Sequence, residues 1–309
     1  MFKKIKLSTK VLAIICVCVI FVVGFALFMI IAASLGDAQR FSYELKADGT
    51  YEIVDIKNTY RGGWFAKESI VVPATHKGKS VTSIKTLDLQ KTKYVEISEG
   101  IKTIGGSAFY GSVVEKVKLP STITSIGNNA FNGCRNLVEI NLPSGIKSLA
   151  NGTFKDCRRL TSLTIPSTVT SIGNEVFNGC VSLTSLTIPD SVTSIGNTTF
   201  NNCTALTTVT LSQNLETIGT NAFTGCTALT SITIPENVVS IGAKAFLNCE
   251  KLTSATFAVT TDWSVTATTP ATATPTEVPS SDLANVATAA RLLTTDHVEK
   301  TWTRPTAEE

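Results

Sequence analysis

The chain has 309 residues, a net charge of +3 and a pI of about 8.4, with 43% hydrophobic and 17% charged residues. This is a globular balance, and it lacks the basic stripes of a nucleic-acid-binding surface. Between residues 120 and 260 seven basic side chains meet seven acidic ones, so no steering toward a polyanion is expected.

In chain order, residues 1–10 carry Lys3, Lys4, Lys6 and Lys10 and precede the uncharged run VLAIICVCVIFVVGFALFMIIAA at 11–33. As a helix this run is about 34 Å long, enough to cross a bilayer core. The basic flank predicts a cytoplasmic 1–10 tail, a signal-anchor helix at 11–33 and export of the remainder. A cleaved signal peptide is the other reading, with Ala32, Ala33 and Ser34 as the small-residue site, although its apolar core would be unusually long. Residues 41–79 read as a β lead-in that caps one end of the repeats beyond it.

From 80 to 260 the chain repeats. SLTIPSTVTSIGNEVFNGC at 162–180 returns 23 residues later as SLTIPDSVTSIGNTTFNNC at 185–203. Six units begin at Pro120, Pro143, Pro166, Pro189, Ser212 and Pro235. Two weaker ones precede them, at 80–97 and 101–119. Phe131, Phe154, Phe177, Phe200, Phe223 and Phe246 hold one position, and Cys134, Cys157, Cys180, Cys203, Cys226 and Cys249 another. A fixed period in the twenties marks a solenoid, in which each coil buries its apolar side against its neighbours. Within a unit, Leu160, Leu163 and Ile165 predict a short strand with Leu163 and Ile165 inward, ended by Pro166. Residues 169–172 predict a second strand. Gly173 then predicts either a positive φ or a tight backbone approach, and 175–180 a short helical turn carrying Phe177 into the core.

The phrase L-x-x-L-x-I-P-x-x-V-x-S-I-G-x-x-x-F-x-x-C resembles the BspA-like leucine-rich-repeat family. The stretches YELKADGTYEIVDI and SIVVPATHKGKSVTSI, before the repeats, are similar to that family's lead-in. The resemblance covers about 43–257. It implies a leucine-rich-repeat solenoid: a mainly β, right-handed stack of about eight 23-residue turns with short helical turns, behind the transmembrane helix. It also implies a cell-surface adhesion or ligand-binding role.

The cysteines should form a column, one rung apart. They are expected to be small buried fillers beside the Phe ladder, although an exported chain could oxidise neighbouring rungs in pairs. A linear file of thiols does not converge on a metal. The two histidines, His76 and His297, lie outside the regular repeats in no nucleophile or metal motif. Neither an enzyme nor a cofactor is expected, and no small-molecule substrate or nucleic acid. Three tripeptides, at Asn151, Asn197 and Asn202, match the N-glycosylation acceptor.

The outward strand positions predict the candidate binding face: Ser162 and Thr164, Ser185 and Thr187, Thr208 and Thr210, Ser231 and Thr233, Ser254 and Thr256. Stacked, they form an uncharged hydroxyl surface suited to a protein or glycan, although Thr is also simply a good solvent-facing strand residue.

After the repeats, 266–280 reads as a Pro/Thr/Ala linker. In the 281–309 tail, Ser281 reads as the N-cap of a helix over 282–293 with Leu283, Val286, Ala290 and Leu293 on one face. The tail, with Trp302, either folds back as a cap or docks elsewhere. These features point to two functions: adhesion or ligand binding through the solenoid face, or a scaffolding role in the envelope with a membrane partner bound by the tail.

Overall fold

The computed structural model describes residues 40–57, 68–268 and 274–305. The segment expected to anchor the chain, 11–33, lies outside them. Among the described residues no helix is long and apolar enough to cross a membrane.

The described chain is a mainly β solenoid of about eight turns of roughly 23 residues, stacked on an unbroken apolar core. Each coil has three sides. On the first, the strands Ser69–Val72, Tyr94–Ile97, Lys116–Lys118 and Glu139–Ile140 pair in parallel succession. Further along, Ser185–Thr187 pairs with Thr208–Thr210, and Ser231–Ile234 with Ser254–Phe257. Residues 162–165, expected as a strand, join no ladder, yet Leu163 and Ile165 stay buried beside the exposed Ser162 and Thr164. Alternation of inward and outward side chains therefore persists where the ladder hydrogen bonds lapse.

On the second side, Tyr51–Ile56, Lys79–Ile84, Thr103–Ile104 and Ser125–Ile126 pair in parallel. The strands Ser148–Leu149, Ser171–Ile172, Ser194–Ile195, Thr217–Ile218 and Ser240–Ile241 continue the series. They are two residues long, and a glycine follows each except Ser148–Leu149, which Ala150 follows. Gly173 does not take a positive φ. A Cβ there would meet Asn151 Oδ1 at 2.5 Å and Asn151 N at 3.0 Å, and a Cβ on Gly196 would meet the Gly173 carbonyl carbon at 2.5 Å. Close approach of coil to coil, rather than a left-handed turn, selects glycine here.

The third side corrects the expected helical turn at 175–180. It is a run of turns in which Glu175 and Gly179 have φ of 58° and 76°. Glu175, Phe177 and Gly179 donate their N–H groups to the carbonyls of Asn197, Thr199 and Asn201 in the next coil, at 2.8–2.9 Å. Asn129, Phe131 and Gly133 do the same toward Asn151, Thr153 and Lys155. The left-handed residues turn alternate N–H groups along the stack, so this side is also a hydrogen-bonded ladder. A helix would have used those donors within the coil.

Phe109, Phe131, Phe154, Phe177, Phe200, Phe223 and Phe246 stack with centroids 5.0–5.9 Å apart and rings within 11° of parallel. Each is at most 1% exposed. The offset stack fills the corner behind the third side with rigid apolar volume.

Both ends are closed. At the N-terminal end Phe41–Leu45 pairs antiparallel with Tyr51–Ile56 and lies outside it. At the other end the tail folds back. The expected linker at 266–280 joins the sheet at both described ends: Ser264–Ala267 pairs antiparallel with Thr276–Glu277. The helix expected over 282–293 is broken. Ser280–Ala284 has Pro279, not Ser281, before it and no side-chain cap. Asn285 then caps Val286–Arg291, accepting from Ala287 N and Thr288 N, and Leu292–Asp296 is π-helical. The break rotates Val286 into solvent, 43% exposed, while Leu283, Ala289, Ala290, Leu292 and Leu293 are buried.

Candidate functional site

The stack displays the outward rows of its first side as a continuous surface. Ser162, Thr164, Ser185, Thr187, Thr208, Thr210, Ser231, Thr233 and Thr256 are exposed, and Ser254 is half-buried. Between them Leu163, Leu186, Ile232 and Ala255 point inward and are buried. The structure adds a third row that strand alternation does not reveal: Thr161, Thr184, Thr207, Thr230 and Thr253, all exposed. Thr184 Oγ1 donates to Thr161 O at 3.4 Å and Thr207 Oγ1 to Thr184 O at 3.0 Å, which aligns these side chains along the stack. The signal is present in the sequence, since threonine recurs there every 23 residues. It escapes notice because the position precedes the strand, where alternation does not predict exposure.

The hydroxyl field contains no charge and continues into a different surface on the N-terminal coils. There the outward residues include Tyr94, Glu96, Lys116, Lys118, Glu139 and Asn141. Lys116 Nζ meets Glu139 Oε2 at 2.8 Å, and Lys118 Nζ meets Glu96 Oε1 at 2.7 Å. The hydrogen bonds that the lysines donate to these carboxylates, and the carboxylate charge, push both lysines upward in pKa. Asn141 clamps the neighbouring coil, accepting from Leu119 N and donating to Leu119 O, both at 2.9 Å. Tyr94 and Val71 remain 41% exposed. A shallow open depression lined by Ser69, Tyr94 and the Lys116–Glu139 pair passes into others lined by Asn141, Thr164 and Thr187. The face is thus half ionic and aromatic, half hydroxyl. Repetition does not reveal the first half, because the early coils are the degenerate ones.

The cysteine column has more than a filling role. The six described thiols are free and buried. Each Sγ donates to the carbonyl of a Phe in the preceding coil: Cys134 to Phe109 at 2.9 Å, Cys157 to Phe131 at 3.3 Å, Cys180 to Phe154 at 3.2 Å. Cys203, Cys226 and Cys249 repeat the contact with Phe177, Phe200 and Phe223 at 3.1–3.2 Å. Burial pushes every thiol up, Cys134 and Cys249 to about 12, which makes them poor nucleophiles.

A parallel asparagine ladder also lies beyond what local patterning reveals. Asn128, Asn151, Asn174 and Asn197 each accept, through Oδ1, the N–H of the residue one coil on, at 2.8–3.1 Å. The acceptor tripeptides at Asn151 and Asn197 therefore carry structural asparagines.

His76 and His297 lie at opposite ends of the solenoid. His76 stacks on Tyr43 at 3.8 Å, and His297 packs edge-on against Trp302 at 5.8 Å. Burial lowers the pKa of both, with nearby lysines adding to the effect. Asp156 and Glu175, acids on adjacent coils, pair with Arg158 and Lys155 rather than facing each other. Among the described residues no group of three or more His, Cys, Asp or Glu side chains could hold a metal. What the geometry offers is a broad, rigid surface for contact.

The family model for the BspA-type leucine-rich-repeat region matches residues 75–184 and 147–264, in six copies. The chain belongs to the BspA-type leucine-rich-repeat family. Among solved structures it resembles a leucine-rich-repeat protein of T. pallidum, at 27% identity and a TM-score of 0.52. That match covers 70% of this chain and 89% of the other. It also resembles a leucine-rich cell surface protein of Faecalibacterium prausnitzii A2-165, at 31% identity and a TM-score of 0.51. Here 72% of this chain matches 54% of the other, so the BspA-type chain spans about half of that protein. No curated protein matches. Membership of the family accounts for the repeat length and the fold; repeat scaffolds host many tasks, so function resides in the face that each one displays.

Proposed function

We propose that this chain is an exported, surface-exposed binding protein that adheres to a protein or glycan partner through the first side of its solenoid. In this reading 11–33 anchors it in the cell membrane, with 1–10 cytoplasmic. The observation that carries the proposal is the face itself: three rows of Ser and Thr, nearly all exposed, along one side of the stack and continuous with the Tyr94 depression and its ion pairs. Hydroxyls satisfy polar partners without a large desolvation cost, while an exposed tyrosine supplies an anchor of the kind that dominates interfaces. A 31%-identical relative described as a cell surface protein supports the same location. The scaffolding alternative, with the tail as docking segment, is disfavoured because Trp302 is 2% exposed within the C-terminal cap.

The test is binding of the full-length chain to an array of matrix proteins and glycans. The comparison is a Thr187→Lys/Thr210→Lys/Thr233→Lys variant with an unchanged unfolding curve. A saturable hit lost in the variant supports the reading. A hit retained at full strength removes the hydroxyl half of the face from it, and a blank with folded protein removes the reading.

A further inference from the structure

The C-terminal cap contains an inserted strand. In the second sheet, Ser264–Ala267 follows Ser240–Ile241 by 24 residues, nearly one repeat, and in a regular solenoid it would lie directly on it as the next rung. Instead Lys300–Thr303 lies between them and pairs antiparallel with both. Thr303 sits between Ser240 and Ser264, and Trp302 between Ile241 and Val265. The N-terminal cap adds its antiparallel strand outside the last rung; the C-terminal one intercalates.

The gap fits its occupant closely. Trp302 points inward against Phe257 at 5.9 Å and Trp263 at 6.3 Å. Arg304 N donates to Val239 O at 2.9 Å, and its guanidinium reaches the carbonyls of Glu236 and Val238 while lying over the Trp263 ring. All these contacts are made by residues 300–304. The link to the preceding helix runs through the π-helical Leu292–Asp296, a rare conformation at which helices kink and which is frequent at functional sites. Beyond it, the Lys244–Glu299 ion pair at 3.1 Å is exposed and contributes little holding force.

We propose that the gap between Ser240–Ile241 and Ser264–Ala267 is a strand-acceptor site. It takes an extended segment with an inward aromatic residue followed, two positions on, by an arginine. In cis it is filled by residues 300–304, and in trans by the same segment of a second copy of this chain. Exchange reproduces every contact of the cis state, so only the link has to reopen.

The test uses two full-length variants, Ser240→Cys at a half-buried position and Thr303→Cys at an exposed one, mixed at high concentration below the unfolding temperature. Neither alone can form the 240–303 disulfide within one chain, whereas antiparallel partners sit about 4.5–5.5 Å apart at Cα and suit a disulfide. The expected result is a mixed dimer joined through positions 240 and 303, read by peptide mass mapping. Its yield should fall at least fivefold with excess synthetic peptide spanning residues 299–305, and not with the same peptide carrying Trp302→Ala. The Ser240→Cys/Thr303→Cys double variant should cross-link within the monomer, as a check on geometry. A mixture that stays monomeric while the double variant cross-links overturns the proposal. So does dimer formation that ignores the peptide.

Discussion

The thiol of Cys157 donates to the carbonyl oxygen of Phe131 in the preceding coil, at 3.3 Å. That carbonyl also accepts the N–H of Cys134 in its own coil, at 3.1 Å. The first full coil, which lacks the cysteine, places Ser112 at this position. Ser112 Oγ donates to Leu87 O at 3.0 Å and is 1% exposed. The position therefore requires a small donor aimed down the stack. Cys180→Ser should retain that bond, whereas Cys180→Ala loses it together with buried volume. The alanine variant is expected to be the less stable of the two by about 1 kcal/mol in urea unfolding. A serine variant less stable than alanine would show that volume alone matters.

The same thiols set an alkaline limit. In the folded protein burial holds Cys134 and Cys249 at about 12, against 9.0 for the free group. Between those values the unfolded chain releases protons that the folded chain keeps, so stability is intact below pH 9 and falls as pH rises toward 12. Each thiol contributes at most about 1.4 kcal/mol per pH unit. Unfolding curves from pH 8 to 11 should show the loss, and Cys134→Ser/Cys249→Ser should lessen it in part, since burial raises the other four described thiols as well. At pH 8 a thiol reagent should label the described cysteines only as the protein unfolds; fast labelling of native protein would contradict their burial.

Phe200 stacks between Phe177 at 5.4 Å and Phe223 at 5.0 Å, whereas Phe246 contacts one ring of the column, Phe223 at 5.3 Å. Phe200→Ala should cost about 3–5 kcal/mol. Phe246→Ala should cost less, by about 0.5–1.5 kcal/mol, the worth of one ring contact. A cost below about 1 kcal/mol for Phe200→Ala would remove this position from the core.

Thr198 holds φ at 54°, unfavourable for a β-branched residue, at a coil position where Asn129 and Asn221 stand elsewhere. Thr198→Asn should therefore raise stability by about 0.5–1 kcal/mol, seen as a higher melting temperature. A fall would mean that the bond from Thr198 Oγ1 to Asn197 O, at 2.7 Å, outweighs the strain.

The sequence alone determined the repeat length, the solenoid, the family and the identity of the core columns. Each depends on a residue type recurring every 23 positions, and a periodic core must be written periodically. It also placed the five Ser/Thr-x-Thr pairs on one face, since strand alternation is local. What it left open depends on contacts between coils. The choice between close approach and left-handed turn at Gly173 is decided by Asn151 one coil away. The hydrogen-bonding use of the cysteines depends on a carbonyl 26 residues back. The Tyr94 depression is assembled from coils too degenerate for their faces to be read by repetition. The tail shows the limit most clearly. The helix signal from Asp282 onward is present but is cut at Asn285, whose backbone is extended and whose side chain caps the second helix, and nothing local in KTWTR marks it for insertion between two strands. Only the tertiary structure decides that, because the partners of Lys300–Thr303 lie about 35 and 60 residues away, and a two-sided strand is defined by what flanks it.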